Sequence, residues 1–250
     1  MNFLKKILIT SAALLLSSNL MANDSKIDES EFKELSQKIN IQLKKSDEKY
    51  HFLKNENEDV KYEVVYFFSY GCPYCYHFDP LISEWSNNKQ KDVSFIKVPA
   101  TFQEGWDVLA NAFTIKEKLN LNKDFDENIF KSIHEKKYDL KNFDSLRSYF
   151  INNYNIDYTN FNKEYNSFTT ITKKNQYDKW ADELFIEGTP TIAIITKDGT
   201  VYKTSTGMTG DDLSTIVSIE YILRELRQDR DPSQDFEKEK SNEQTKPVLQ

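Results

Sequence analysis

The sequence predicts an α/β fold with a parallel strand–helix–strand unit followed by a block of helices. Apolar, β-branched and aromatic runs typical of strands occur at residues 64–68 and 93–98, with helical character between them. Helical periodicity continues over 101–179, and a second β-rich stretch follows at 188–204. A strand, a helix and a strand in that order begin a parallel crossover unit.

The most informative stretch follows the first strand. Residues 69–76 have the sequence Ser-Tyr-Gly-Cys-Pro-Tyr-Cys-Tyr. Gly71 ends the strand with a turn, and Pro73 suits the first turn of a helix because its fixed φ is helical and its missing N–H would have had no partner there. Cys72 is therefore expected at a helix N-terminus, where unpaired N–H groups and the helix dipole stabilise an anion.

This placement predicts redox chemistry at Cys72 and Cys75. A Cys-X-X-Cys pair at a helix N-terminus lowers a thiol pKa from about 8.5 to between about 3.5 and 7.5, and the thiolate is the nucleophile in disulfide exchange. We expect Cys72 to be the accessible, attacking sulfur and Cys75, one turn further into the helix, to be the buried, resolving sulfur. Residues i and i+3 share a helix face, so the two can form a disulfide.

Two other interpretations of the cysteine pair are weaker. A zinc site needs four ligands, but the chain has two cysteines and three histidines (His51, His77 and His134) without ligand spacing. A structural disulfide closing so short a loop would restrain the unfolded chain little. We therefore expect neither a metal nor a cofactor, and His134 to be a surface or half-buried histidine.

Residues 1–22 have the layout of a secretory signal peptide. Lys5 and Lys6 precede an apolar stretch at 7–16, and small and polar residues follow up to Ala22. The apolar stretch is too short to span a bilayer. We therefore expect export to the periplasm, an oxidising compartment in which a Cys-X-X-Cys pair can take part in disulfide chemistry.

The next segment, 23–50, is expected to be an amphipathic helical extension. A helix lying on its own domain is the favoured interpretation, and a dimerisation arm that would give a homodimer is the alternative. The apolar residues at helical spacing are Phe32, Leu35, Ile39 and Leu43.

Charge and composition limit the partners and the ordered length. The formal net charge of −7 makes nucleic acid and anionic lipid poor candidates. From residue 228 to 250 the chain is polar with almost no apolar residue, which predicts a disordered tail.

The middle and the end of the chain complete the expected fold. Four helices are predicted in the helical block. The fourth is expected to begin with an apolar stripe and to continue through Trp180 to Leu184; the stripe consists of Phe161, Tyr165, Phe168 and Ile171. Asp198-Gly199 between two β-rich runs is a strong hairpin signal. Asp211 or Asp212 can cap a final helix.

Taken together, this order resembles the DsbA family of periplasmic thiol oxidases, a thioredoxin fold with an inserted helical domain. Residues 67–79 (Phe-Phe-Ser-Tyr-Gly-Cys-Pro-Tyr-Cys-Tyr-His-Phe-Asp) are similar to the family's active-site stretch, and residues 165–168 and 188–191 fall where the family has matching segments. The resemblance implies a thioredoxin domain in two parts, 51–100 and 180–227, separated by a helical insertion at 101–179.

The family implies roles for individual residues. Pro190 matches a cis-proline beside the active-site sulfur, and it would leave the backbone of Thr189 free to bind an extended substrate as an added strand. Pro73 and Tyr74, between the cysteines, would tune the redox potential.

The chain departs from the family at three positions. Tyr74 stands where its best-known members have His, so less stabilisation of reduced Cys72 and a weaker oxidant are expected. Thr189 resembles the disulfide isomerases more than the oxidases. The buried acid of thioredoxin-like proteins would fall at Tyr66, so that proton relay is absent or moved, with Asp79 and Glu63 as weak substitutes.

The predicted function is thiol:disulfide oxidoreductase, with an oxidase that introduces disulfides into exported proteins as the first choice. Its partners would be reduced or misfolded exported proteins and a membrane oxidase resembling DsbB. The alternatives are an isomerase or reductase, maintained by a partner resembling DsbD, and a non-enzymatic chaperone or binding protein.

Overall fold

The computed structural model describes residues 43–51, 58–122 and 124–234. The expected signal peptide at 1–22, residues 23–42 of the N-terminal extension and residues 235–250 of the tail lie outside this part of the chain. The dimerisation-arm alternative therefore stays a prediction.

Within the described residues, five strands form one sheet. They are β1 (Lys44–Lys45), β2 (Tyr62–Phe68), β3 (Val93–Pro99), β4 (Thr191–Thr196) and β5 (Val201–Ser205). Their order across the sheet is β1-β5-β4-β2-β3. β2 and β3 are parallel, and every other neighbouring pair is antiparallel.

Eight helices occur in the same part of the chain. They are α1 (Pro73–Asn88), α2 (Trp106–Lys118), α3 (Phe125–His134), α4 (Phe143–Tyr154), α5 (Tyr158–Tyr165), α6 (Phe168–Glu183), α7 (Thr206–Thr209) and α8 (Asp212–Arg227). Helices α2 to α6 form the helical block between the two β-rich parts. No described helix has the combination of length and apolar character needed to cross a membrane.

The central strand β2 determines where the active-site loop lies. All seven of its residues are buried, because β3 and β4 flank it and helices cover the sheet. A strand covered on both faces has a continuous apolar run, which is the pattern that predicted it. The helix α1 connects β2 to β3, so the predicted strand–helix–strand unit is confirmed.

The predicted hairpin and the last helix are also confirmed. Asp198 and Gly199 connect β4 to β5, and Gly199 has φ +85°, a conformation that favours glycine. Asp211 caps α8, its side chain accepting a hydrogen bond from the N–H of Ser214 at 2.8 Å.

The N-terminal extension is not helical up to residue 50. Lys44 and Lys45 instead pair with Lys203 and Tyr202 as an edge strand. The N–H of Tyr50 also donates to Gly199 O at 2.7 Å. Backbone hydrogen bonds hold this edge, and a two-residue strand leaves no periodicity in the sequence.

The prediction of disorder from residue 228 is wrong for the first residues of the tail. Asp231 forms an ion pair with Lys45 and accepts a hydrogen bond from the Tyr202 hydroxyl at 3.2 Å, and Ser233 is buried. Polar contacts with the edge of the sheet fix this segment, although it has little apolar content.

The predicted fourth helix is two helices, α5 and α6. Ser167 caps α6 by accepting a hydrogen bond from the N–H of Thr170 at 3.3 Å. Phe168, which the prediction placed in an apolar stripe, is 82% exposed. The capping serine redirects the chain, so the stripe does not continue from one helix to the next.

Candidate active site

The first turn of α1 is built on Cys72, which is its N-cap residue. The Cys72 backbone is extended, and Pro73 opens the helix, as expected. The N–H of Cys75 donates a hydrogen bond to Cys72 Sγ at 3.4 Å. A helix N-terminus that directs its N–H groups at a sulfur favours the thiolate over the thiol.

Gly71 allows the loop between β2 and α1 to pack closely against α2. A Cβ at this position would lie 2.4 Å from Trp106 Nε1 and 3.1 Å from a methyl carbon of Leu109. No other residue leaves that space free. The lack of a side chain therefore positions the turn that presents Cys72.

The two thiols have opposite pKa shifts. The pKa of Cys72 is lowered to about 6, first by the hydrogen bond from the Cys75 thiol and then by hydrogen bonds from the Thr189 side chain and from backbone N–H groups, while burial opposes the change. Burial raises the pKa of Cys75 well above its ordinary value. Near neutral pH the reduced pair therefore has one thiolate, on Cys72.

Cys72 is less accessible than the sequence predicted. Cys72 is 3% exposed and Cys75 is fully buried. Cys72 is thus the more exposed of the two, as expected, but it is almost buried rather than accessible. In its thiol form, Cys72 donates a hydrogen bond from its S–H group to the carbonyl oxygen of Thr189, with 3.4 Å between Sγ and O. The segment before β4 thus lies directly against the sulfur.

Thr189 and Pro190 are brought together with the cysteines, although they are more than 100 residues away in the sequence. The Thr189–Pro190 peptide bond is cis, as the resemblance implied. Pro190 is buried and Thr189 is half-buried. The Thr191 hydroxyl donates to Gly188 O at 2.8 Å and closes the turn that precedes β4.

The residues between the cysteines face outward. Pro73 is exposed, and Tyr74 is 68% exposed. Tyr74 therefore borders the sulfur without being part of the core, and a different side chain can be placed there at little packing cost.

A buried charge cluster lies beneath the site, and the sequence analysis missed most of it. Lys97 Nζ lies 2.7 Å from an Asp79 oxygen and 3.2 Å from an Asp126 oxygen. Asp126 also accepts a hydrogen bond from the Tyr70 hydroxyl and lies 3.5 Å from Lys116 Nζ. The signal in the sequence was Lys97 among the apolar residues Phe95, Ile96 and Val98 of a predicted strand.

Glu63 cannot replace the acid expected at Tyr66. Successive side chains of a strand point to opposite faces, so Glu63 and Tyr66 lie on opposite faces of β2. The Tyr66 ring contacts Phe78 of α1 edge-on, with centroids 5.6 Å apart, which places Tyr66 on the face of the active-site helix. Glu63 is instead the acceptor of a 3.4 Å hydrogen bond from the Ser94 hydroxyl.

His134 contacts the active-site loop, a role that its sequence position did not suggest. Its Nε2 lies 2.8 Å from the carbonyl oxygen of Tyr70, and its ring is stacked on Tyr76 with centroids 5.1 Å apart. A carbonyl only accepts hydrogen bonds, so Nε2 carries the proton. Burial lowers the pKa of His134, which favours the neutral ring.

No group of three or more His, Cys, Asp or Glu side chains in the described part of the chain is arranged to hold a metal ion. Both cysteines are free thiols here. The structure is therefore that of the dithiol form.

Comparison with known proteins identifies the family. No family model matches the chain. The thiol:disulfide interchange protein DsbA of Pseudomonas aeruginosa is 30% identical over 167 residues, which is 67% of this chain and 77% of that protein. The chain belongs to the DsbA family. The DsbA of Azotobacter vinelandii is also 30% identical, over 67% of this chain and 76% of its own length.

The fold agrees with this assignment. The crystal structure of Pseudomonas aeruginosa DsbA superimposes with a TM-score of 0.65 at 27% identity, covering 74% of this chain and 92% of that one. The α/β architecture is thus the thioredoxin fold with a helical insertion, as predicted. The protein is a thiol:disulfide oxidoreductase. Its relatives, which are named thiol:disulfide interchange protein DsbA, support the oxidase role and give the isomerase alternative no better support.

Proposed function

We propose that the protein oxidises thiols of exported proteins through its Cys72–Cys75 pair, with Cys72 as the sulfur that exchanges with the client and Cys75 as the buried partner. The observation that carries this proposal is the opposite shift of the two pKa values. A sulfur with a low pKa is a good leaving group, so the mixed disulfide at Cys72 is readily resolved toward oxidised client.

The oxidation takes two exchanges. A client thiolate attacks Cys72 Sγ, the Cys72–Cys75 bond breaks, and its electron pair goes to Cys75 Sγ. A second client thiol then attacks the client sulfur of the mixed disulfide, and Cys72 leaves as a thiolate. The client is oxidised to a disulfide and the protein is reduced to the dithiol, with both client protons accounted for by Cys75 and the solvent.

Thr189 and Pro190 are proposed to bind the client backbone. The Thr189 carbonyl is within 3.4 Å of Cys72 Sγ, and Pro190 has no N–H with which to pair. A client segment that adds as a short strand beside Thr189 would bring its own sulfur to Cys72. Pro73 and Tyr74 are proposed to tune the potential, because they separate the two sulfurs and Tyr74 borders the exposed side.

The location and partners follow from the same cycle. Residues 1–22 are proposed to direct export to the periplasm, where disulfides persist. The dithiol produced in each cycle must be reoxidised, and we assign this step to a membrane oxidase resembling DsbB. The proposed domain division keeps the two thioredoxin parts, 51–100 and 180–227, around the insertion at 101–179.

The redox state in the cell tests the proposal. Periplasm is quenched with acid, free thiols are labelled with a reagent that adds mass, and the protein is resolved by size. An oxidase is found mainly as the unlabelled disulfide, and a Cys75→Ser variant accumulates client proteins in mixed disulfides with Cys72. A mainly dithiol protein would favour the isomerase, and retention of the biological function by Cys72→Ser would favour a binding protein.

A further inference from the structure

Tyr66 carries a buried hydroxyl without a hydrogen-bond partner. The residue is 0% exposed at the centre of β2, and its Oη makes no hydrogen bond among the described residues. Nearly all buried polar groups in proteins have a partner, so an unpaired hydroxyl at this depth needs a physical explanation.

The residues packed around Tyr66 place it near the buried sulfur of Cys75. Its ring packs edge-on against Phe78, which lies one turn after Cys75 on the same face of α1. Lys97 Nζ lies 5.8 Å from the centre of the ring on the side of the charge cluster. Burial first, then the charges of Cys75 and Asp79, and then the proximity of the Cys75 sulfur to the Tyr66 hydroxyl raise the pKa of Tyr66 well above 10.

The oxidase cycle creates a negative charge on the buried sulfur of Cys75, near Tyr66. When the Cys72–Cys75 bond opens, the electron pair goes to Cys75 Sγ, which is fully buried. A buried thiolate without a donor is unfavourable. Lys97 does not serve this need directly, because its ammonium group already pairs with Asp79 and Asp126.

We propose, on the basis of the function proposed above, that Tyr66 is a further catalytic residue whose Oη–H donates a hydrogen bond to the Cys75 thiolate as the disulfide opens. The tyrosine keeps its proton throughout. The proton that finally rests on Cys75 comes from a client thiol, so client dithiol and protein disulfide give client disulfide and protein dithiol.

The test compares two phenylalanine variants. Tyr66→Phe removes only the hydroxyl, and Tyr62→Phe removes the hydroxyl of another buried tyrosine on the same face of β2, four residues away. Each oxidised protein is mixed with glutathione, so that no exported client is needed, and opening of the disulfide is followed after acid quenching. A second measurement titrates Cys75 alone in a Cys72→Ser background.

We expect Tyr66→Phe to slow opening about tenfold, the effect of losing one hydrogen bond to a charged group, and Tyr62→Phe to leave it unchanged. We also expect Tyr66→Phe to raise the pKa of Cys75. The thermal midpoint of the Tyr66→Phe variant in the dithiol form should be no lower than that of the parent, because the Tyr66 hydroxyl makes no hydrogen bond in that form.

Three results would overturn the proposal. The first is an opening rate of Tyr66→Phe that cannot be distinguished from that of Tyr62→Phe. The second is slower opening with an unchanged Cys75 pKa, which would assign the effect to packing. The third is loss of the fold, which would show that the hydroxyl is structural. Failure of the oxidase proposal would appear separately, as a dithiol protein in the cell with these two measurements unaffected.

Discussion

The backbone N–H of Cys75 donates to Cys72 Sγ across 3.4 Å, so the buried cysteine supports the charge of its partner. The contact is possible because Cys72 is the N-cap of α1 and Cys75 lies in its first turn. The same local arrangement of the chain lowers the pKa of the Cys72 thiol and keeps the Cys75 thiol neutral.

The stability of the reduced protein should depend on pH. The pKa of Cys72 falls from 9.0 in the unfolded chain to about 6 in the fold, so its stabilising effect is complete above pH 9 and is lost as pH falls through 6. The disulfide form has no such group. Urea unfolding of both forms should show the reduced form gaining relative stability from pH 6 to pH 9. The reduced Cys72→Ser variant should lack this trend, and a parallel pH dependence of both forms would contradict the assignment.

Tyr74→His should make the disulfide a stronger oxidant. A protonated imidazole beside the Cys72 thiolate stabilises the reduced form, and the exposed position limits the expected change to about 10–20 mV toward less negative potential. Equilibration with glutathione buffers measures it. Tyr74→Phe is the control and should keep the potential of the parent; equal potentials for the two variants would show that charge at this position does not matter.

Lys97→Met should strongly destabilise the protein. The change leaves the buried carboxyl groups of Asp79 and Asp126 without their shared cation, a loss of about 3–5 kcal/mol in the free energy of unfolding. Lys131→Met removes an exposed ion pair with Glu127 and should leave the free energy of unfolding almost unchanged. Urea unfolding compares the two variants. Similar small losses in the free energy of unfolding would mean that Asp79 and Asp126 do not depend on Lys97.

Gly71→Ala should destabilise the active-site turn. The added methyl group meets the Trp106 ring nitrogen at 2.4 Å, and repacking is expected to lower the free energy of unfolding by about 1–3 kcal/mol. Gly188→Ala is the matched control near the same site, since nothing lies within 4 Å of the position of its Cβ. Thermal unfolding of the Gly71→Ala and Gly188→Ala variants tests this prediction, and equal midpoints for the two variants would contradict it.

The sequence predicted those parts of the fold that local chemistry determines. The apolar run of β2, the proline after Cys72 and the Asp198-Gly199 turn each act within a few residues, and all were found as expected. The resemblance of residues 67–79 added the thioredoxin topology, which no local pattern could supply.

Long-range contacts explain what the sequence could not provide. The edge strand at Lys44 and Lys45 and the order of the tail around Asp231 depend on each other and on β5, through backbone pairing and an ion pair. Neither leaves a periodic apolar signal. The charge cluster has no sequence pattern for a similar reason, because Lys97 and Asp126 come from different elements and meet only in the fold.

The pKa of Cys72 in the reduced protein is the most direct test of the account. The rate of alkylation by iodoacetamide, measured as a function of pH with a Cys75→Ser variant for assignment, follows the thiolate fraction. The account predicts a midpoint at about 6 for the parent and a higher one once the Cys75 thiol is removed. A midpoint near 9.0 in the parent, the value of an ordinary thiol, would contradict it.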